Sequence, residues 1–130
     1  MSENSSIPRR YPGSVLVVDD DFTFRNILRD FLELSGFTVV VAGSREEALQ
    51  RLAQTVPRVV LLDVRLPGMD GLMTLKHIRL AHPNLPVICI TQDGGDDTQE
   101  QAELLGVSDY MLKPFHFQEL KSILLLKIFA

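Results

Sequence analysis

Five short apolar runs alternate with five amphipathic segments along the chain. The runs are continuously apolar and rich in β-branched residues, and they read SVLVVD, FTVVVA, RVVLLD, PVICIT and SDYML. Uninterrupted apolar runs of this length are typical of strands that are buried on both faces. Because parallel neighbours need a crossover between them, this alternation predicts an α/β domain, a doubly wound parallel sheet with helices on both faces.

The intervening segments show helical periodicity and helix-boundary signals. In the first, Gly36 follows as a stop signal, and apolar residues recur at i, i+3, i+4 and i+7, namely at Phe24, Ile27, Leu28 and Phe31. The second opens with a capping-box pattern from Ser44 to Glu47. The fourth, at about 96–105, is polar and is expected to be one of the less stable elements. The fifth runs from about Phe117 to the C-terminus.

The length and composition indicate one domain. The chain has 130 residues, of which 45% are hydrophobic, and this is enough for one buried core. Residues 1–13 are polar and contain several serines and prolines, which predicts a disordered tail followed by a domain over residues 14–130. The single cysteine, Cys89, lies within an apolar run, is predicted to be a core residue, and excludes a disulfide within the chain.

The charge balance argues against several partner classes. There are 17 acidic and 13 basic residues, a formal net charge of −4, so we expect no basic face for nucleic acid and no polybasic patch for a membrane. The N-terminal sequence lacks the apolar core of a signal peptide, and no apolar stretch approaches the ~18 residues of a membrane span. Together with the cysteine content, these features predict a cytoplasmic protein.

Polar side chains follow four of the five predicted strands. They are Asp19, Asp20 and Asp21 after the first strand, Asp63 at the end of the third, Thr91 at the end of the fourth, and Lys113 after the fifth. Ligands of open α/β sheets bind outside the carboxyl ends of the strands. Each residue alone has an ordinary explanation as a helix cap, a turn residue or a solvated charge, but four strands contributing to one edge favour a site.

The chemistry of this predicted site follows from charge. Carboxylates that crowd together need a cation, and oxygen ligands with room for water favour Mg²⁺ over zinc. A hydroxyl and an ammonium opposite the metal would bind the oxygens of a phosphoryl group. An aspartate can itself be the nucleophile and form an acyl phosphate, and Asp63 is the best-placed candidate.

The motifs VLVVDDD, VVLLDVRLPGMDG, VICIT and DYMLKPF, in this order and spacing, resemble the receiver domains of bacterial two-component response regulators. The resemblance runs from about Val15 to the end of the fifth helix. It implies a flavodoxin-like (βα)5 fold with strand order 2-1-3-4-5. It also implies a signalling switch that is not an enzyme but a phosphoacceptor regulatory domain, whose only catalysis is of its own phosphoryl transfer and aspartyl-phosphate hydrolysis.

The resemblance assigns the metal and phosphoryl sites by position. Asp63 would be the phosphoacceptor, and Mg²⁺ would be the cofactor. Asp20 would bind the metal directly and Asp19 mainly through water. Asp63 and the backbone carbonyl of Arg65 would complete the set of protein ligands.

Three further residues receive roles in the same way. Lys113 would bind a phosphoryl oxygen, and the Lys113–Pro114 peptide bond is usually cis in the family. Thr91 would move toward the phosphoryl group, and Tyr110 would be the switch aromatic that is buried in one state and exposed in the other. The face formed by helix 4, strand 5 and helix 5 would change as a result.

The resemblance also names the classes of partner. A histidine kinase or a histidine phosphotransfer protein would supply the phosphoryl group, and a downstream effector or output domain would receive the signal.

The alternative function is a protein-interaction module with a receiver fold that works without phosphorylation. A phosphatase with an aspartyl nucleophile would need a second aspartate where Arg65 stands, which argues against that class. A nucleotide-binding Rossmann domain would need a glycine-rich turn after strand 1, and the sequence there, DDDFTF, has none.

Two regions depart from the common family pattern. Gln92 stands where a small residue is usual and could narrow access to the phosphoryl group. Arg65 and Asp93 either pair across the mouth of the site and slow phosphoaspartate hydrolysis, or are two solvated charges worth at most ~1 kcal/mol to each other. The last helix carries surplus apolar residues, which fit either a homodimer through helix 4, strand 5 and helix 5 or a receiver cut from a longer regulator.

Overall fold

The computed structural model describes residues 10–66, 69–91 and 96–129, with only the backbone of residues 65, 66, 69, 70, 96 and 97. The helices and strands follow one another along the chain as β1 Val15–Val18, α1 Phe22–Leu34, β2 Val39–Ala42, α2 Arg45–Gln54, β3 Val59–Asp63, β4 Arg65–Leu66, β5 Met69–Asp70, α3 Gly71–Ala81, β6 Val87–Thr91, α4 Asp96–Leu104, β7 Asp109–Leu112 and α5 Phe117–Ile128.

Five parallel strands form the main sheet in the order β2-β1-β3-β6-β7. Since β6 and β7 are the fourth and fifth strands of this sheet, the expected order 2-1-3-4-5 and the flavodoxin-like fold are confirmed. The register pairs Val15 of β1 with Val39 and Val59, and Asp63 with Ile90. The apolar pattern did not predict β4 and β5, a short antiparallel pair between β3 and α3.

The sheet separates two hydrophobic cores. Val15 and Val17 of β1 belong to a core that is closed by α1 and α5, whereas Leu16 and Val18 belong to a core that is closed by α2, α3 and α4. Every residue of β1, β3 and β6 is buried. This burial on both faces is the physical reason that these strands read as unbroken apolar runs.

The helix boundaries follow the local signals. Ser44 caps α2 by accepting a hydrogen bond from the N–H of Glu47, and the carboxylate of Glu47 accepts one from the N–H of Gly43. In α1 the inward residues are Leu28 and Leu32, and Ile27 of the predicted apolar stripe is exposed. None of the described helices is long and apolar enough to cross a membrane.

The predicted N-terminal tail divides into two parts. Residues 1–9 lie outside the described residues. Arg10 and Tyr11, which the prediction also placed in the tail, contact the domain: Arg10 donates a hydrogen bond of 3.0 Å to the carbonyl of Phe37, and the Tyr11 ring lies 4.8 Å from the Phe37 ring and 5.9 Å from the Phe129 ring. These contacts begin four residues before the predicted domain boundary at 14, and the boundary itself stays a prediction.

Candidate functional site

Lys113 joins two buried carboxylates at the carboxyl edge of the sheet. Its Nζ lies 2.9 Å from Oδ2 of Asp19 and 3.0 Å from Oδ2 of Asp63. Asp19 directly follows β1, Asp63 ends β3, and Lys113 directly follows β7. Three separate strands therefore bring one ammonium and two carboxylates together, as the positions of these residues predicted.

Burial gives this cluster unusual electrostatics. Asp19 has no exposed surface and Asp63 is 4% exposed, so the two carboxylates and the ammonium carry a formal charge of −1 in a place with little water. Burial raises the pKa of the Asp19 carboxyl, against the lowering effect of hydrogen bonds from the Asp21 N–H and from Lys113. Burial lowers the pKa of Lys113, but its hydrogen bonds and charge interactions with Asp19 and Asp63 outweigh that effect and the pKa of Lys113 is raised.

The three consecutive aspartates have different surroundings. The Oδ1 atom of Asp19 accepts a 2.9 Å hydrogen bond from the N–H of Asp21, and the guanidinium of Arg25 donates to the carbonyl of Asp19. Asp21 caps α1 by accepting a 3.1 Å hydrogen bond from the N–H of Phe24. Asp20 is exposed. The start of α1 thus fixes Asp19 inside the site and leaves Asp20 facing solvent.

Thr91 and Lys113 are brought side by side by the strand register. Asp63 pairs with Ile90, so Thr91 is one position beyond it on β6, and Thr91 itself pairs with Leu112 on β7. The N–H of Lys113 donates a 2.7 Å hydrogen bond to the carbonyl of Thr91. Thr91 is fully buried. A hydroxyl-bearing residue therefore stands in the row of strand ends between Asp63 and Lys113.

Tyr110 lies on β7 and is half-buried. It packs against the core that includes Ala102 of α4, so its ring is on the side of the sheet that α4 covers. The Lys113–Pro114 peptide bond is cis, as the resemblance implied.

The sequence profile of the response regulator receiver domain family matches residues 15–125. The chain belongs to this family. The domain is similar to the DNA-binding transcriptional regulator NtrC of Escherichia coli K12, with 43% identity over 107 residues that make up 82% of this chain. It is similar to the response regulator protein FleR of Pseudomonas aeruginosa, with 41% identity over 108 residues. The chain spans about a quarter of the length of these curated relatives, covering 23% of each.

Solved structures agree with this assignment. The receiver domain of NtrX from Brucella abortus superposes with a TM-score of 0.84 at 32% sequence identity, and the match covers 90% of this chain and 99% of that one. A CheY-like receiver domain from Methanospirillum hungatei superposes equally well, with a TM-score of 0.84, at 24% identity, which supports the fold. The fold and the family prediction are therefore confirmed.

The donor atoms of the receiver domain suit Mg²⁺. Among the described residues, no set of three or more acidic, histidine or cysteine side chains is arranged to hold a metal ion. Magnesium, however, commonly uses one or two carboxylates and completes its octahedral shell with water and phosphate oxygens. The carboxylates of Asp19 and Asp63, the exposed Asp20 beside them and the backbone of Arg65 fit that requirement, and their assignment as ligands remains a prediction.

Several predicted features of the receiver domain lie outside what the structure describes. Gln92 and Asp93 are outside the described residues, and so is the side chain of Arg65, so the proposed Arg65–Asp93 pair remains a prediction.

Sequence reasoning missed one residue at the site. The ring of Phe24, on the first turn of α1, lies 4.0 Å from Nζ of Lys113, measured to the ring centroid. Its spacing of three residues after Asp21 places it on the helix turn that faces the strand ends, which is the signal that could have found it. The apolar pattern instead marked it as an ordinary core position.

Proposed function

We propose that this receiver domain is a phosphorylation-dependent signalling switch that accepts a phosphoryl group on Asp63. The observation that carries the proposal is the position of the Lys113 ammonium, within 3.0 Å of carboxylate oxygens of both Asp19 and Asp63. This arrangement holds a nucleophilic carboxylate beside a fixed positive charge at the open edge of the sheet. Positive groups placed in this way stabilise the charge that develops on transferring phosphoryl oxygens.

The residues of the chain would act as follows. A carboxylate oxygen of Asp63 attacks the phosphorus of a phosphohistidine, a P–O bond forms while the P–N bond breaks, and the histidine leaves with the bonding electrons. Lys113 would stay at the site throughout, because Asp19 continues to hold it after Asp63 has become an acyl phosphate. Lys113 would also bind a phosphoryl oxygen during the hydrolysis that returns Asp63 to its free form.

Magnesium would be the cofactor of this transfer. Asp20 and Asp63 are the proposed carboxylate ligands, with Asp19 acting mainly through water and Arg65 through its carbonyl. When bound, Mg²⁺ would neutralise negative charge on the carboxylates and on the phosphoryl oxygens.

The proposed response to phosphorylation begins at Thr91. Its hydroxyl would turn toward the new phosphoryl group, and Tyr110, which packs on the side covered by α4, would repack. The face formed by α4, β7 and α5 would then change. The three elements each carry an exposed apolar residue, Leu104, Leu112 and Leu126, which supports a role for them as the surface for an effector, an output domain or a second copy of the chain.

The partner that supplies the phosphoryl group would be a histidine kinase or a histidine phosphotransfer protein, and we place this exchange in the cytoplasm. The matched region covers only 23% of each of the regulators named above, which supports an output function beyond the receiver domain. In this proposal the receiver itself contacts neither nucleic acid nor membrane.

The deciding experiment is intact mass spectrometry after incubation with acetyl phosphate and Mg²⁺. We expect one phosphoryl adduct on the wild-type chain and none on Asp63→Ala. The matched control is Asp30→Ala, which removes an exposed aspartate on α1 and should leave the adduct unchanged. A wild-type chain that forms no adduct would favour the phosphorylation-independent interaction module, and an adduct of equal yield in EDTA would refute the magnesium assignment.

A further inference from the structure

The ring of Phe24 lies against the ammonium group of the site. Nζ of Lys113 is 4.0 Å from the centroid of this ring, well within the ~6 Å over which a cation is attracted to an aromatic face. An ammonium carries three N–H donors. The carboxylates of Asp19 and Asp63 each accept a hydrogen bond from Lys113, and the ring of Phe24 borders the same nitrogen on another side.

Other aromatic rings hold Phe24 in this position. Phe115 and Phe117 lie 6.2 and 6.4 Å from it, both in edge-to-face geometry with interplanar angles of 82° and 77°. Both residues follow Lys113 closely in the chain, so the short connection from β7 to the first residue of α5 positions both the ammonium and the rings that support Phe24. At its backbone, Phe24 donates its N–H to the capping Asp21. The ring is thereby fixed from two sides.

The setting strengthens a cation–π interaction. The side chain of Lys113 is only 10% exposed, so little water competes with the ring for the ammonium. A leucine could fill the same volume, but it has no electron-rich face. Replacing the aromatic ring at position 24 by an aliphatic side chain would therefore change mainly how firmly the ammonium is held.

We propose that Phe24 is a positioning residue for phosphoryl transfer, acting through Lys113. The inference rests on the proposed phosphorylation of Asp63. During transfer, Asp63 changes from a carboxylate to an acyl phosphate, and its hydrogen bond with Lys113 must rearrange. Asp19 and Phe24 take no part in the bond changes, so they keep the ammonium in place while Asp63 reacts.

The test replaces Phe24 alone by phenylalanine carrying one, two or three fluorine atoms, introduced site-specifically into the full chain. Fluorine withdraws electron density from the ring face and weakens cation–π attraction while the ring keeps nearly the same shape. We expect the initial rate of phosphorylation by acetyl phosphate to fall stepwise, to about one tenth for the trifluorinated ring. The same series at Phe31, which packs 5.1 Å from Phe117 in the same aromatic cluster, is the control and should leave the rate unchanged.

A second measurement reports the contact itself and needs no phosphorylation. The chain has four lysines, so the ammonium signals of ¹⁵N-lysine-labelled protein can be assigned one by one with Lys→Arg variants. A ring face 4.0 Å from Nζ should shift the Lys113 ammonium protons upfield. Phe24→Leu should remove this shift, and Phe24→Tyr, which keeps a π face, should retain both the shift and the rate.

The outcomes separate the two proposals. A Lys113 signal that does not respond to Phe24→Leu would overturn the contact and the inference with it. A normal upfield shift combined with a phosphorylation rate that is flat across the fluorinated series would overturn the positioning role and leave Phe24 as a packing residue. If wild-type protein forms no adduct, the proposed function fails and the positioning role falls with it, whatever the NMR signal shows.

Discussion

Lys113 and Asp19 form a buried ion pair across 94 positions of sequence, with 2.9 Å between Nζ and Oδ2. The Lys113 side chain is 10% exposed and the Asp19 side chain is fully buried. A pair in such a place is costly to break from one side, because the remaining charge stays buried without its partner. The stability of the domain, and its dependence on pH, should therefore be sensitive to the loss of either partner.

Removing the ammonium should make stability depend more strongly on pH. We expect Lys113→Met to lower the free energy of unfolding by roughly 3 kcal/mol near neutral pH. Burial raises the pKa of Asp19 and Lys113 lowers it, so the variant raises that pKa further. An acid with a raised folded-state pKa contributes stability at low pH and loses it as pH rises through that pKa, so the deficit should be smaller at pH 4 than at pH 7.

Urea denaturation of both proteins in EDTA at the two pH values measures this effect. The matched control is Lys127→Met, since Lys127 pairs with Asp109 at 3.1 Å in a more exposed place. There we expect a loss of at most ~1 kcal/mol and little pH dependence. Equal deficits for Lys113→Met at both pH values would show that the Lys113–Asp19 interaction does not govern the titration of Asp19.

Arg79 is expected to be a major stabilising residue away from the site. Its guanidinium donates hydrogen bonds to five backbone carbonyls, those of His82, Pro83, Leu85, Leu105 and Gly106. It therefore ties the end of α3 to the end of α4. We expect Arg79→Met to cost about 2–3 kcal/mol in urea denaturation, because partly buried carbonyls lose their donors.

Hydrogen exchange would locate that loss. The amides of the last turn of α4 should exchange faster in Arg79→Met, and Arg79→Lys should not restore protection, since one ammonium cannot replace the planar fork. Arg29→Met, which removes a surface pair with Asp30, is the control and should stay within ~0.5 kcal/mol of wild type. If Arg79→Met is as stable as Arg29→Met, the hydrogen bonds from Arg79 to the backbone carbonyls contribute nothing measurable to stability.

Cys89 should be chemically silent in the folded protein. It has no exposed surface, and burial raises the pKa of its thiol to about 12. Only the thiolate is a good nucleophile, so at pH 8 both its low population and its burial protect it. We expect no labelling by iodoacetamide in native buffer and complete labelling once the protein is unfolded in concentrated guanidinium chloride. Intact mass spectrometry measures the extent of labelling in both cases. Rapid native labelling would mean that β6 opens locally.

Gly71 should tolerate no side chain. A Cβ at this position would overlap the backbone of Val64, where α3 begins against the end of β3. Backbone atoms cannot rotate away as a side chain can, so we expect Gly71→Ala to destabilise the domain by about 1–3 kcal/mol. Gly106→Ala is a useful comparison. Space is available there, and the expected loss comes from its positive φ of 76°. A fully stable Gly71→Ala protein would mean that α3 can shift outward.

The sequence by itself determined the sheet and most of the site. A strand that is apolar at every position has to be buried on both faces, so the sequence alone predicted β1, β3 and β6 as strands between two layers of helices. Because parallel strands end on the same edge, Asp19, Asp63 and Lys113 were predicted to converge from their positions alone. The order of the motifs then identified the family.

Only the tertiary structure decided how these groups contact one another. Apolar periodicity records that a residue is buried and does not record what it is buried against. Phe24 therefore looked like an ordinary core position, although its ring faces the ammonium of Lys113. Arg10 and Tyr11 looked like a solvated tail for the same reason, since their partners at Phe37 and Phe129 come from distant parts of the chain. Contacts of this kind depend on the distances between folded elements, which no local pattern contains.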